Sequence, residues 1–362
     1  MAAGVGVVVT PGAEAGRGSR GAPVRVLVVR VGAMGDVLHA LPAVTALRMA
    51  RPEWEIGWAV DRRWAPLIGG VVGGAAVVDA VHVAATRDWK KRPVSWRTAR
   101  QIEEMWGELR SVRYDVCVDM QGTVRSGVIG RMAGAKEFVG FGDPRERAAG
   151  WMYGHRMERR GVHVVEQGCA LLGEAVGVGL RPVAVDLPVD GAAEAWCDEL
   201  LAGVGRICFL APTAGWGAKV WPAERFGAVA RGLVEAGYGV VVNAVDAHDA
   251  VAAAVVRASG GVASAVASTL PQMVALVRRS SLVIAGDTGP LHLGAALGRP
   301  VVGLFGPTDP ARNGPFGPMG TPARVLRHEA SATDHSRVQS VEAGLMRIEV
   351  DAVLGAAMEL LG

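Results

Sequence analysis

The chain has 362 residues; half are hydrophobic, 5% are aromatic and the net charge is +3. That length accommodates two domains, and a charge this close to neutral argues against a nucleic-acid partner. Cys117, Cys169, Cys197 and Cys208 form no C-x-x-C pair and have no histidine cluster beside them, which argues against a zinc site or a disulfide framework and fits buried thiols in a reducing cytoplasm.

Met1 to Pro23 is rich in Gly and Ala and is expected to be a flexible tail. Its apolar run, Val5 to Thr10, is too short to span a bilayer and lacks a preceding positive region. Strand-like and helical patterns then alternate. Val24–Val31 reads as a strand, Val37–Met49 as a helix with Pro42 near its first turn, and Ile56–Val60 as a strand. Val77–Val83 reads as a strand after the glycine-rich stretch 69–74. Trp96–Val112 reads as a polar helix, Tyr114–Asp119 as a strand and Ser126–Met132 as a helix. An extended, proline-marked stretch from Arg181 to Pro188 is the candidate linker.

A second alternating set follows. Ile207–Ala211 is a strand that runs into the loop Pro212–Lys219, and Trp221-Pro222 opens a helix from Ala223 to Ala236. Gly239–Val242 is a strand, Asp249–Ala258 a helix, Gly261–Ala265 a short strand and Leu270–Arg279 a helix. Leu282–Ala285 is a strand, Asp287–His292 opens a helix to Leu297, and Val301–Phe305 is a strand. Alternation of this kind implies right-handed βαβ units and parallel sheets. The expected fold is α/β: two facing Rossmann-like domains, over residues 24–180 and 181–340. Residues 341–362 are expected to form a helix packing back on the N-terminal domain. Neither half carries G-x-G-x-x-G, which weakens a dinucleotide reading.

Several positions point to chemistry, each beside a plainer alternative. Asp36 follows the first strand where open α/β sheets place ligands. A free Asp has a pKa near ~3.9 and is ionised at neutral pH, so Asp36 can take a proton from a hydroxyl or simply cap the following helix. The segment Asp287-Thr288-Gly289-Pro290-Leu291-His292 opens a helix whose N-terminus suits a diphosphate; an ordinary N-cap is the alternative. Lys219 sits in a Gly-rich loop and suits a phosphate oxygen, or is a surface lysine. Gly306-Pro307-Thr308-Asp309-Pro310 reads as a rigid turn closing the interdomain cleft. Arg87 to Pro93 is the densest basic run, joined by Arg125 and Arg145. It is either a solvated loop or a site for anionic groups.

The order Met-Gly-Asp-Val-Leu-His-Ala-Leu-Pro-Ala (34–43), Asp-Met-Gln-Gly (119–122), Lys-Val-Trp-Pro (219–222), Asp-Thr-Gly-Pro-Leu-His-Leu (287–293) and Phe-Gly-Pro-Thr-Asp-Pro (305–310) resembles the glycosyltransferase family 9 heptosyltransferases. The similarity spans roughly residues 24 to 355, and the form of the first motif is closest to the heptosyltransferase I branch. The resemblance implies a GT-B fold and inverting, metal-independent transfer of heptose from ADP-heptose to a Kdo hydroxyl of lipopolysaccharide. It implies no cofactor beyond that donor substrate, and Asp36 as catalytic base. Donor contacts would fall on Thr213, Ala214, Gly215, Lys219, Asp287, Thr288, Gly289 and His292. Asp249, or else Asp246, would hold the ribose. Gly35, Arg87, Lys90, Lys91, Gln121, Arg125 and Arg145 would face the acceptor, a Kdo-lipid A-type glycolipid. A monomer at the cytoplasmic face of the inner membrane is expected, with no nucleic-acid partner. Transfer of another nucleotide-diphosphate sugar, or non-catalytic nucleotide-sugar binding, are the alternatives.

Overall fold

The computed structural model describes residues 24–318, 321–334 and 340–362; the expected N-terminal tail lies outside the described residues. In the first half the strands are β1 (Arg25–Val29), β2 (Glu55–Asp61), the short pair β3 (Val71–Val72) and β4 (Ala75–Ala76), β5 (Ala80–Ala84), β6 (Val116–Asp119), β7 (Glu137–Phe141) and β8 (His155–Met157). The helices are α1 (Met34–Ala50), α2 (Thr86–Lys91), α3 (Trp96–Val112), α4 (Val124–Ala133) and α5 (Val164–Val176). The second half runs through α6 (Gly191–Leu200), β9 (Ile207–Ala211), α7 (Ala223–Glu235), β10 (Gly239–Ala244), α8 (Ala250–Ala258), β11 (Ser264–Ala267) and α9 (Leu270–Arg279). It continues with β12 (Ser280–Gly286), α10 (Gly289–Ala296), β13 (Val301–Phe305), α11 (Pro310–Asn313), β14 (Ala323–Arg327) and α12 (Val350–Leu361).

Two six-stranded sheets result, ordered β5-β2-β1-β6-β7-β8 and β11-β10-β9-β12-β13-β14, and every pairing within them is parallel. A parallel sheet covered on both faces demands continuous apolar runs, and β1 and β9 supply them. Val26 to Val29 and Ile207 to Ala211 are all buried. The strand order reverses between β1 and β6, and again between β9 and β12. Each reversal opens a crevice at the carboxyl ends of the strands. Asp36 and Gln121 follow one pair, Lys219 and Asp287 the other.

Some boundaries move for identifiable reasons. α1 begins at Met34, three residues before the expected start, so Asp36 stands in its first turn and Pro42 in its interior. β5 begins at Ala80 because the Val77 N–H is tied to the Gly70 carbonyl at 3.0 Å, outside the sheet. The edge strands β8 and β14 lack a fully buried residue, so neither presents the apolar run that marks a central strand. Residues 178–190 carry neither helix nor strand.

The chain end corrects the sequence expectation. The helix covers only Val350–Leu361, and it packs on the C-terminal sheet, not the N-terminal domain. Val353, Ala356, Ala357 and Leu361 share a core with Trp221, Phe226, Leu233 and Val302, and the Trp221 indole donates to the Ile348 carbonyl at 3.1 Å. The reason is local supply: α7 has an apolar face centred on Phe226, Val229 and Leu233, and α12 covers it. The two halves meet elsewhere. One core cluster runs from Val26 and Trp58 through α1 to Leu291, Phe209 and Val283, so α1 and α10 join the domains through apolar contact.

Candidate active site

The two crevices open on one cleft of about 720 Å³. Its N-terminal wall includes Arg30, Asp36, His39, Gln121, Asp143, Arg145 and Arg159. Its C-terminal wall includes Trp216, Lys219, Thr308, Arg312 and Asn313.

Asp36 caps α1 and also faces the cleft. Its Oδ2 accepts the Ala33 N–H at 3.0 Å, which caps the first turn of α1. Its Oδ1 lies 2.9 Å from the Arg30 guanidinium, and 29% of the side chain is left exposed to the cleft. Burial pushes this carboxyl up, but Arg30, the Ala33 N–H, Arg145 and His292 outweigh burial, and the net shift is downward. Asp36 is therefore a carboxylate at neutral pH. Arg30 also donates to the Asp36 and Met120 carbonyls, so β1 and the β6 loop fix the pair together.

That loop is held by a buried acid. Asp119 Oδ1 accepts the N–H groups of Gln121 and Gly122 at 2.8 and 3.1 Å. Its Oδ2 accepts the hydroxyls of Ser126 and Tyr153, both at 2.8 Å. Burial raises the Asp119 pKa and these donors offset part of the rise. Gln121, so positioned, accepts the Gly32 N–H at 3.0 Å and fastens the turn before Asp36.

On the opposite wall, Lys219 Nζ lies 2.5 Å from Asp287 Oδ2 and 3.2 Å from the Asp287 carbonyl. The His292 Nε2–H donates to Asp287 Oδ1 at 3.0 Å. Asp287 is buried, and burial alone would raise its pKa. The His292 hydrogen bond and the Lys219 ammonium reverse this and hold it well below the usual carboxylate range. The Lys219 ammonium also lies 5.1 Å from the Trp216 ring centroid.

The lining carries five cations (Arg30, Arg145, Arg159, Lys219 and Arg312) against two carboxylates (Asp36 and Asp143). Arg159 is taken up by Asp143 at 2.8 Å. Arg145 and Arg312 make no ion pair among the described residues. Burial and the neighbouring Arg159 lower the Arg312 pKa. A cleft with surplus guanidinium and ammonium groups suits a phosphorylated ligand. Among the described residues no group of three His, Cys, Asp or Glu is placed to hold a metal ion.

Of the residues singled out from sequence, Asp36, Gln121, Arg145 and Lys219 line the cleft, with Asp287 and His292 directly behind Lys219. Gly35 does not line it: a Cβ there would come within 2.6 Å of His292 Cδ2, and one on Gly289 within 2.6 Å of Met34 Sδ. These two glycines let α1 and α10 touch. Thr288 donates to the Gly286 carbonyl at 3.2 Å. Thr213, Ala214 and Gly215 lie in the loop before Trp216, outside the lining. Asp249 caps α8, its Oδ1 accepting from Val251 and Ala252 and its Oδ2 from Val245. Asp246 accepts the His248 N–H at 2.8 Å. Arg87, Lys90 and Lys91 are exposed on α2, and Arg125 on α4, all outside the lining.

Arg30, His39, Arg159, Trp216, Thr308 and Arg312 are cleft residues that the sequence reading did not single out. Arg30 had a visible signal: it is the cation ending an otherwise apolar strand, beside the Asp36 turn. Thr308 lay inside a turn read as purely structural.

Two doubly wound parallel-sheet domains facing across a cationic cleft, with a carboxylate on one wall, define a glycosyltransferase of the GT-B class. Residues 102–343 match Glycosyltransferase family 9 (heptosyltransferase), and the chain belongs to that family. It is 30% identical over 299 residues to Lipopolysaccharide heptosyltransferase 1 of Pseudomonas aeruginosa, covering 81% of each chain. It is 28% identical over 302 residues to Lipopolysaccharide heptosyltransferase 1 of Escherichia coli K12, covering 81% of this chain and 91% of that one. The structure of E. coli heptosyltransferase WaaC with ADP superimposes with a TM-score of 0.76 at 25% identity, over 93% of this chain and 100% of that one. The same enzyme with ADP-2-deoxy-2-fluoro heptose gives 0.73 at 25% identity, over 93% and 99%.

Proposed function

We propose that this glycosyltransferase moves heptose from ADP-heptose to a Kdo hydroxyl of the lipopolysaccharide inner core, with inversion and without a metal ion. The observation that carries the reading is the placement of the ionised Asp36 carboxylate across one cleft from the Lys219–Asp287 pair. Similarity to enzymes named lipopolysaccharide heptosyltransferase 1, and to a WaaC structure containing ADP, supports the donor and the acceptor class.

Asp36 takes the proton of the acceptor hydroxyl as its oxygen bonds to the anomeric carbon. The bond from that carbon to the diphosphate oxygen breaks on the far face, which inverts the configuration. ADP leaves with growing negative charge, and Lys219 with Arg312 stabilises it from fixed positions. In this reading the cationic wall does the work that a divalent ion does elsewhere. Asp249, at the carboxyl end of β10, keeps lone pairs for the ribose beyond those used in capping α8.

The decisive experiment gives purified protein Kdo-lipid A and a panel of nucleotide-diphosphate sugars, with and without EDTA. Transfer from ADP-heptose alone, unchanged by EDTA and yielding the inverted anomer, is the expected result. Transfer from a different donor would replace the sugar assignment and keep the chemistry.

We also assign the protein to the cytoplasmic face of the inner membrane as a peripherally bound monomer. No helix among the described residues is long and apolar enough to cross a membrane. Exposed Val94 and Trp96 stand beside Lys90, Lys91 and Arg92, a combination that suits an anionic lipid surface.

A further inference from the structure

Three histidines meet where the two walls join, and the transfer chemistry above uses none of their free nitrogens. His39 lies on α1, three residues after Asp36. His163 precedes α5, and His292 lies on α10. The His39 ring centroid is 4.3 Å from that of His292 and 5.5 Å from that of His163. His39 and His292 are 6% and 5% exposed. Each has one buried ring nitrogen with no partner, Nε2 of His39 and Nδ1 of His292. Buried polar atoms are rarely left so.

The two atoms are chemically complementary. His292 commits its Nε2–H to Asp287 Oδ1, so its Nδ1 in the neutral ring is a lone-pair acceptor. His39 is free to carry its proton on Nε2 as a donor. His163 is not available for this: its Nδ1 accepts the Val165 N–H at 3.2 Å, and its Nε2–H donates to the Gly314 carbonyl at 3.1 Å.

We propose that His39 is a positioning residue, donating from Nε2 to His292 Nδ1 and completing a chain His39–His292–Asp287–Lys219 from the helix of Asp36 to the opposite wall. The proposal rests on the reading of Asp36 and Lys219 as parts of one transfer site. Ring centroids 4.3 Å apart leave the two nitrogens able to come within hydrogen-bond distance when the His39 ring turns. The bond would orient His292, through it the Asp287 carboxylate, and through that the Lys219 ammonium. The groups facing the His39 ring are His292 and Asp287 from the C-terminal domain, His163 from the start of α5 and Arg30 from the end of β1. Glu166 and Arg312 act on His163. Burial first, and the Arg30 guanidinium with it, press His39 towards its neutral form, in which Nε2 can carry the single ring proton and donate it.

The test uses the full chain labelled with ¹⁵N-histidine, as wild type, His39→Phe and His39→Gln. Long-range ¹H–¹⁵N spectra are expected to show the His292 Nδ1 resonance moving in His39→Phe. With active enzyme, kcat of His39→Phe should fall about 10–100-fold, with the donor KM within about threefold, as for a misplaced catalytic group. The acid limb of its kcat–pH profile should move, and His39→Gln, whose amide still donates, should recover most of the rate. An unmoved His292 resonance in His39→Phe overturns the proposal, whichever sugar the enzyme transfers. Equal rate losses in both variants, matched by equal falls in Tm, also overturn it, by reducing His39 to packing. Failure of the wild type on ADP-heptose would strike the transfer reading alone, and the nitrogen spectra would still judge the chain of hydrogen bonds.

Discussion

Gly35, next to the cleft carboxylate, lies so close to His292 of the other domain that a Cβ on it would come within 2.6 Å of His292 Cδ2. The helix of Asp36 thus meets the helix behind Asp287 through the His292 ring, with no side chain on Gly35 to hold it off. Gly35→Ala is expected to displace His292 or part the two helices, at about 1–3 kcal/mol for overpacking a tight contact. Chemical denaturation measures the cost, and transfer assays should show a loss larger than the stability change explains.

Asp36→Asn removes the charge and the proton acceptor, while its amide oxygen can still take the Ala33 N–H. We expect kcat to fall by about 10²–10⁴, the usual contribution of a positioned base, with ADP affinity preserved in calorimetry. Turnover near that of the wild type would reject Asp36 as the base.

Lys219→Met strips the ammonium from a buried carboxylate. Transfer should slow by about 10²–10³, as when a preorganised electrostatic group is lost. Breaking one side of a buried pair costs about 3–5 kcal/mol; the His292 bond to Asp287 should keep the loss at the low end. Urea titration of the variant against the wild type checks both the sign and the size.

Stability should depend on pH through the histidines. Burial, followed by neighbouring charge for His39, lowers the folded-state pKa of His39, and burial lowers that of His163. The unfolded chain therefore binds protons first as pH falls. The stability these neutral rings contribute is complete above the unfolded value of about 6.5 and is lost as pH drops below it. Asp36 and Asp287 have depressed pKa values. Their contribution is present above about 3.9 and fails only in stronger acid. Unfolding free energies at constant salt should rise from pH 5 to 7, and His39→Phe should flatten that rise.

Membrane association should depend on the basic end of α2. Each lysine near an anionic surface contributes about 1 kcal/mol, so Lys90→Glu with Lys91→Glu should weaken binding to phosphatidylglycerol vesicles by well over tenfold at low salt. Sedimentation with vesicles reads this directly. Equal pelleting of the variant and the wild type would remove α2 from the docking surface.

Residue order alone determined the alternation of apolar runs and amphipathic segments, and with it the two parallel sheets and the loops after their central strands. The buried strands β9 and β13 run over the same residues in the sequence and in the structure, whereas β7, whose short apolar run is broken by Gly140, left no such signal. Asp36, Lys219 and Asp287 were legible because each follows such a strand at a turn or helix start. The edge strands β8 and β14 were not, since half-exposed strands carry no continuous apolar signal.

The tertiary structure decided what no local pattern encodes. It placed α12 on the C-terminal sheet, because α7 has an apolar face to cover. It set Arg30 on Asp36, and it gathered Arg159 and Arg312 into the cleft while leaving Arg87, Lys90, Lys91 and Arg125 outside its lining. It also brought His39, His163 and His292 together from positions up to 253 residues apart in the chain. Charges and ring nitrogens act over a few ångströms, and only the closure of one domain on the other sets those distances.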